Sequence, residues 1–258
     1  MSDSQTGPTS PRLDYNSSAK ENCIVMQIAF FPWLRLTHPI ALGPFTFVPF
    51  KDDLGHIAPA LADVAESLNT ILRGYVDMRG ASVGNCVVVT HARSNPVWDL
   101  RDEDHELIIR YAKILTLCAF AKNDYNTNMG CYANSSHFQF VRQRFTVPVD
   151  YIAFDTRRRD GSTTDGGYRH GEVRFPVPPQ AKSSRDACID TGLGTAIARA
   201  ISGNSPTAQS LLAALLFFDL ANTDTDVMQL EAEVILMGSA FEQLLGTYGE
   251  RRLNQAVG

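Results

Sequence analysis

Short apolar runs alternate with turn-forming residues in the first third of the chain. Three runs rich in β-branched and aromatic residues predict strands: 23–33, 45–50 and 85–90. Gly43 and Pro44 indicate a turn before the second of them. Between the second and third runs, apolar residues recur every three or four positions over 57–72, which predicts an amphipathic helix.

In the middle of the chain, the spacing of apolar residues is first that of a helix and then that of strands. Acidic residues at 102–104 precede apolar positions at helical spacing, which predicts a helix to about Ala121 with negative charge at the positive end of its dipole. Over 138–149, apolar residues alternate with Gln and Arg, as in a strand with one exposed face. Two further strands are predicted at 151–154 and 172–177, with the segment 157–171 as the loop between them.

The last part of the chain has a helical pattern. Three helices are predicted: 189–201, 205–221, and a last one that begins at 224 or 225 and stops at Gly246. Ser205 followed by Pro206 is a favoured pair for the start of a helix. The last two helices are expected to form an αα-hairpin with strong apolar periodicity.

These elements predict an α+β fold. We expect a mixed, largely antiparallel sheet with two flanking helices, followed by a C-terminal helical unit. Residues 1–20 are rich in Ser, Thr, Asp and Pro and are interpreted as a flexible tail. The predicted domains are an α+β sheet domain over 21–182 and a helical domain over 183–258.

Net charge limits the possible partners, and cysteine content indicates the cellular compartment. A formal net charge of −5 argues against general binding to nucleic acid, although a local basic loop is compatible with it. The five cysteines are odd in number and never spaced as Cys-x-x-Cys, which favours a reducing cytoplasm over a disulfide framework or a zinc site. No apolar run has the roughly 18–20 residues that a membrane span needs.

The densest polar segment is 155–174, next to two predicted strands. One interpretation takes Asp155 with Glu172 and Arg174 as a degenerate two-carboxylate nuclease core that holds a divalent metal. Such a core normally has lysine at the position of Arg174, and arginine cannot transfer a proton in its place. A second interpretation is an anion clamp, and a third is a solvated hairpin loop. The candidate anion-binding residues are Arg157, Arg158, Arg159, Arg169 and His170.

Other catalytic or cofactor motifs are incomplete. None of the six histidines stands at metal-ligand spacing, and no metal site is predicted. No cofactor is predicted either, because the glycines at 192 and 194 lack the third glycine of a dinucleotide loop. His105, within the acidic start of a helix, is interpreted as a surface or capping group.

The predicted hairpin has more apolar surface than its two helices can bury against each other. The sheet domain, a second copy of the chain or a different protein must cover the remainder. A protein partner or a homo-oligomer is therefore expected, and a membrane is not. The candidate interface residues are Val234, Met237, Phe241, Leu244 and Leu245.

The C-terminal segment resembles the opening helices of HEPN-type domains of bacterial abortive-infection and toxin proteins. The resemblance rests on Ala-Leu-Leu-Phe-Phe-Asp-Leu-Ala-Asn-Thr-Asp at 214–224 and Glu-Val-Ile-Leu-Met-Gly-Ser-Ala-Phe-Glu-Gln-Leu-Leu-Gly at 233–246. Phe-Phe-Pro-Trp-Leu at 30–34 and Arg-Arg-Arg-Asp-Gly at 157–161 are similar to the regions that precede such domains. The resemblance implies helical association.

The nuclease site of that family is not matched. Its ribonucleases carry an Arg followed four to six residues later by a His near a late helix, and two copies form one site. Arg101 and His105 have only three residues between them and lie in another part of the chain. The resemblance therefore implies a catalytically silent relative, or a version that stops before the nuclease helices.

Two functions follow as hypotheses. The first is a non-catalytic sensor or partner-binding protein of a bacterial defence or toxin system, which assembles through its C-terminal helices. The alternative is a metal-dependent nuclease or another nucleic-acid-processing enzyme that uses the segment from Asp155 to Arg174. A small-ligand binder that uses the sheet face and the arginines is a third, weaker hypothesis.

Overall fold

A computed structural model gives the architecture for a defined part of the chain. It describes residues 24–32, 34–51, 69, 72, 75–77, 85–94, 98–122, 141–147, 152–157, 163–168, 173–175, 187–203, 205–222 and 230–245. Most of the helix predicted at 57–72 lies outside these residues, although Asn69 and Leu72 are both helical.

Nine strands are described. They are β1 (Ile24–Phe31), β2 (Ile40–Leu42), β3 (Phe45–Lys51), β4 (Tyr75–Asp77), β5 (Asn85–His91), β6 (Val141–Val147), β7 (Ile152–Arg157), β8 (Thr163–Tyr168) and β9 (Val173–Phe175). Seven of them form one sheet in the order β2-β3-β5-β1-β6-β7-β8, in which every neighbouring pair is antiparallel. β4 and β9 form a separate parallel pair. With the helices given below, this confirms the predicted α+β class.

A two-residue turn joins β2 to β3. Leu42 pairs with Phe45, so that Gly43 and Pro44 alone form the connection. Gly43 has a φ of 57°, the left-handed region that glycine enters without steric cost and that tight hairpin turns require. The turn predicted from the sequence is thus placed in the first hairpin of the sheet.

Four helices are described: α1 (Asp104–Ala121), α2 (Thr191–Ile201), α3 (Pro206–Ala221) and α4 (Leu230–Leu245). The hydroxyl of Ser205 accepts a hydrogen bond from the amide of Ala208 at 3.1 Å, as expected for the residue before a helix that begins with proline. The carboxylate of Asp190 caps α2 in the same way, through the amide of Leu193 at 2.9 Å.

The main hydrophobic core lies between one face of the sheet and the helices. Phe31, Phe47, Val87 and Val89 of the sheet pack with α1, and residues of α2 and α3 belong to the same cluster. The predicted domain boundary near residue 182 therefore separates segments that share one core, and the division itself stays a prediction. The opposite face of the central strands is also buried, since Phe30 and Val88 have no exposed surface.

β6 alternates between buried and more exposed side chains over 141–144, but the polar residue Gln143 lies on the buried face, where the sequence pattern predicted apolar residues. Val141 and Gln143 are buried, whereas Arg144 is exposed and Arg142 is partly exposed. β6 lies between β1 and β7, so it is an inner strand of the sheet.

Two expectations about the chain around 157–177 need correction. The predicted loop 157–171 contains β8, which pairs with β7 over its whole length. Asp165, Gly166 and Gly167 at its centre disfavour a strand, whereas Thr163, Thr164 and Tyr168 favour one, and its backbone pairing with β7 decides the outcome. The strand predicted at 172–177 is the shorter β9, and it pairs in parallel with β4, which the sequence pattern did not indicate.

Candidate functional site

Five large apolar side chains of α4 are exposed to solvent. Between 45 and 68% of each is accessible. They are Val234, Ile235, Phe241, Leu244 and Leu245, and we refer to them as the α4 surface. An exposed group of this size on one helix is typical of an interaction site rather than of ordinary surface.

The position of α4 in the fold explains this exposure. Among the described elements, α3 is the one with which α4 makes extensive contact. A helix with a single neighbour can bury only one stripe of its circumference, and here that stripe includes Ala240. Apolar residues on the other faces of α4 are left in contact with water.

An apolar groove lies beside the α4 surface. Its volume is about 180 Å³, and all of its lining residues are apolar. They come from three helices: Leu117 of α1; Leu211, Ala214, Leu215 and Phe218 of α3; and Met237, Ala240, Phe241 and Leu244 of α4. We call it the hairpin groove. Phe241 and Leu244 belong both to the groove and to the α4 surface, so the two features form one continuous apolar region.

The predicted interface residues are divided between these two features. Val234, Phe241, Leu244 and Leu245 are exposed, and Met237 lines the hairpin groove. Ile235 is as exposed as its neighbour Val234 but was not among the predicted residues. Hydrophobicity alone could have identified Ile235, whereas its exposure depends on the angle at which α4 packs on α3.

The candidate anion-binding residues fall mostly outside the described part of the chain. Arg157 is the last residue of β7 and stands opposite Thr163 of β8 in the strand register. Arg158, Arg159, Arg169 and His170 lie outside the described residues. Their proposed clamp stays a prediction.

The carboxylates of the alternative nuclease hypothesis are not brought together by anything described. Asp155 of β7 stands opposite Arg142 of β6 and Asp165 of β8 in register, and Glu172 lies outside the described residues. No group of three or more His, Cys, Asp or Glu residues within the described ranges is arranged to hold a metal ion. The nuclease hypothesis stays a prediction as well.

A charged cluster at the start of α1 is a feature that sequence spacing did not reveal. Asp104 is completely buried, and its carboxylate accepts hydrogen bonds from the Arg93 guanidinium and from the amide of Arg101, the latter at 2.9 Å. His91 is buried beside it, with its Nε2 4.0 Å from Asp104 Oδ1. The Nδ1 atom of His91 accepts a hydrogen bond from the backbone amide of Arg93 at 3.0 Å, which places the proton of the neutral ring on Nε2.

A second group of charges joins the start of α1 to the sheet. Both oxygens of Asp102 accept hydrogen bonds from Arg144, at 3.0 and 3.2 Å, and Arg142 lies 3.0 Å from Oδ1. Partial burial acts to raise the pKa of Asp102, but hydrogen bonds from Gln27 and Arg144 and the charges of both arginines outweigh it and lower the pKa. These contacts hold the start of α1 against β6.

The residues before α1 extend the pairing of the central strand. Leu100 donates its backbone amide to the carbonyl of Gln27 at 3.0 Å, and the amide of Gln27 donates to the Asp99 carboxylate at 2.8 Å. Trp98 is almost completely buried next to these contacts. We interpret the charged cluster as a structural link between β5, α1 and the centre of the sheet. His105 is buried, which contradicts the expectation of a surface position, while the alternative of a capping group stays a prediction.

The stability of the protein is expected to fall as the pH drops below about 6.5, the ordinary pKa of histidine. Burial and the positive charge of Arg93 lower the pKa of His91, and the opposing effect of Asp104 is smaller. The unfolded chain therefore takes up a proton at a higher pH than the folded chain, and the contribution of neutral His91 is lost as the pH falls from 6.5 to the folded-state pKa.

Thermal unfolding between pH 7 and pH 5 measures this effect. The variant His91→Asn keeps an acceptor for the Arg93 amide but does not titrate, so its melting temperature should fall less over this range than that of the parent protein. The exposed His38 provides the matched control, His38→Asn. An equal slope for the His91→Asn and parent proteins would show that His91 does not carry the effect.

None of the three described cysteines is part of a disulfide, and two of them are buried. Burial raises the pKa of Cys86 far above its ordinary value, and burial together with the charge of Asp190 raises the pKa of Cys118 to about 12. Both thiols are therefore protonated at neutral pH and are poor nucleophiles. Cys188 is exposed.

Comparison of the chain with models of protein families, with curated proteins and with solved structures finds no match. The described helices include none that is both long and apolar enough to pass through a lipid bilayer. The α4 surface and the hairpin groove are the features of the described residues that indicate an interaction site.

Proposed function

We propose that this chain is a non-catalytic protein that binds a protein partner through its C-terminal helices. The observation that carries the proposal is the α4 surface: five large apolar side chains, each at least 45% exposed, on one 16-residue helix. The hairpin groove extends the same apolar region between α3 and α4. The contact region is defined by these two features.

The energetics of burial support this assignment. Covering an apolar side chain such as Phe241 or Leu245 contributes on the order of 1.5–3 kcal/mol when the burial is complete. Well-packed apolar and aromatic anchors beside a pocket provide most of the binding free energy in typical protein interfaces. Phe241 is suited to be such an anchor. It is aromatic, it lines the hairpin groove, and 57% of it is exposed and can be covered by a partner.

The sequence resemblance supplies a context for this function. Segments 214–224 and 233–246, which resemble the opening helices of HEPN-type domains, include the second half of α3 and most of α4. We place the protein in a bacterial defence or toxin system of the cytoplasm, as a sensor or an assembling subunit. Because the family's Arg and His pair is not matched, the role proposed here is association and not RNA cleavage.

Replacing two residues of the α4 surface by serine tests the proposal. In native extracts of the source cells, the parent protein is expected to elute from a size-exclusion column in a complex larger than the monomer. The double variant Val234→Ser/Phe241→Ser should elute as a monomer, because the apolar contact is lost. Its free energy of unfolding should change little, since both side chains are mostly exposed.

A matched control comes from two exposed polar positions of α3. Substitution of the exposed residues Thr207 and Gln209 of α3 by serine should leave the complex intact. Elution of the parent protein as a monomer, or a complex that survives the double variant, would contradict the proposed function.

A further inference from the structure

The helical hairpin has an extreme charge distribution. No Lys, Arg or His occurs between Arg199 and Arg251, whereas all 23 lysines and arginines of the chain lie outside this stretch. Its acidic residues are Asp219, Asp224, Asp226, Glu231, Glu233, Glu242 and Glu250. The formal charge of the stretch is therefore more negative than the net charge of −5 of the whole chain.

Three of these acids lie on α4, around the α4 surface. Glu231 stands one helical turn before Val234 and Ile235, and Glu242 stands one turn before Leu245. Both glutamates are exposed, and Glu233 is partly exposed. The α4 surface thus has one carboxylate before its first residue and another next to its C-terminal residues.

Two cations of α1 lie outside the residues that line the hairpin groove. Arg110 and Lys113 of α1 lie around a different pocket, which they share with Leu212 and Leu216 of α3. The residues that line the hairpin groove are all uncharged. A molecule that covers the α4 surface therefore meets apolar contacts bordered by carboxylates.

A glycine, Gly238, lies among the residues of the α4 surface. Apart from its chain neighbours and the backbone of its own helix, an added Cβ at Gly238 would have no atom of the described residues within 4 Å, so packing against the described residues does not require glycine there. Glycine inside a helix costs about 1 kcal/mol relative to alanine. Its neighbours one turn away, Val234 and Phe241, are exposed apolar residues, so Gly238 forms a shallow notch between them. Such a notch lets a second helix approach more closely than the usual distance of roughly 8–10 Å between helix axes would suggest for large side chains.

We propose that the partner is an amphipathic helix of a different protein, with lysines or arginines beside its apolar stripe. This inference rests on the proposed function and names the class of partner. The apolar stripe would lie on the α4 surface over Gly238, with a large side chain in the hairpin groove. Its cations would face Glu231 and Glu242.

Charge is the reason for choosing a different protein over a second copy. Two copies joined through the same face would bring Glu231, Glu233 and Glu242 of both chains to one interface, without any cation on α3 or α4 to pair with them. Like charges placed across an interface oppose association, and opposite charges select the partner and speed its approach. The charge of the hairpin thus favours binding of a basic helix and opposes association with a second copy.

Synthetic peptides of defined charge test this inference with the full chain. The probe is a labelled peptide of about 16 residues, the length of α4, with leucines at helical spacing and lysines on the flanks. One control peptide has glutamate in place of every lysine, and another has the same composition in scrambled order. Fluorescence anisotropy at low and high salt should detect binding of the basic amphipathic peptide alone, and this binding should weaken as salt increases.

Variants of the protein connect the binding to particular residues. The triple variant Glu231→Gln/Glu233→Gln/Glu242→Gln should weaken binding of the basic peptide about tenfold, since each exposed charge pair contributes little by itself. Gly238→Leu should weaken it by about tenfold or more because the notch is filled, while circular dichroism shows an intact fold. Glu103→Gln, at the start of α1, is the charge control and should leave binding unchanged.

The outcomes separate this inference from the proposed function. Equal binding of the acidic, scrambled and basic peptides would overturn the inference. So would a homodimer in light scattering that Gly238→Leu disrupts, because a second copy would then be the occupant while partner binding would still hold. If no peptide binds but the native complex is lost in Val234→Ser/Phe241→Ser, the inference fails and the proposed function stands.

Discussion

Replacement of Gly43 by alanine is expected to lower the free energy of unfolding by about 2–4 kcal/mol. Two effects add at this position. The φ of 57° is unfavourable for any residue with a Cβ, and the new Cβ would overlap the Oη, Cζ and Cε1 atoms of the Tyr111 ring. Tyr111 is held in place by the core and by an edge contact with Phe45, so it cannot move away freely.

Urea denaturation of matched variants measures this loss. Gly203→Ala is the control, because an added Cβ there has no atom within 4 Å and the backbone is not in the left-handed region. Its stability should stay within about 0.5 kcal/mol of the parent protein. In a Tyr111→Leu background, Gly43→Ala should lower the free energy of unfolding by about half as much or less, since only the backbone effect of about 1–2 kcal/mol remains. An undiminished loss in that background would show that the ring is not the obstacle.

Asp104→Ala is expected to destabilise the protein by about 2–3 kcal/mol. The substitution removes a completely buried carboxylate, leaves the amide of Arg101 without its acceptor and takes away the ion pair with Arg93. The loss is moderated because the Arg93 side chain is 45% exposed and can return to water. Asp104→Asn keeps an acceptor for the Arg101 amide and should lie between the parent protein and Asp104→Ala.

The adjacent acid provides the control for this prediction. The Glu103 side chain is 61% exposed and lies 3.4 Å from both Arg93 and Arg101. Exposed ion pairs of this kind contribute little, so Glu103→Ala should change stability by less than about 1 kcal/mol. Equal effects of Asp104→Ala and Glu103→Ala in urea denaturation would contradict the role assigned to burial.

Local signals in the sequence predict several elements closely. The helix predicted at 205–221 begins after Ser205, as its capping residue requires, and ends at Ala221. The helix predicted from the acids at 102–104 to Ala121 corresponds to α1. In both cases the information lies within the element, because capping and apolar spacing act over one or two turns.

Long-range pairing could not be predicted in the same way. β8 forms from a Gly-rich polar segment because β7 supplies its hydrogen bonds, and β4 pairs with β9 from nearly 100 positions away along the chain. The contact between His91 and Asp104 likewise joins the end of β5 to the start of α1. No spacing rule identifies such a pair, since the fold and not the local sequence brings its members together.

The candidate interface could be predicted from the sequence only in part. The helical spacing of Val234, Phe241 and Leu245 in the sequence indicated excess apolar surface on the last helix. The sequence did not show which of these residues face water, because that depends on how α4 packs in the fold, where α3 is its main neighbour among the described elements. The role proposed for Gly238 likewise depends on the exposure of Val234 and Phe241 around it.

Site-specific photo-crosslinking in the source cells tests partner binding by α4 most directly. A photoreactive amino acid is introduced at 241 or 234 on the α4 surface, and at the exposed position 200 on α2 as the control. We predict that 241 and 234 yield a discrete crosslinked protein complex and that position 200 does not. Crosslinking from 241 and 234 no stronger than that from 200 would contradict the proposed function.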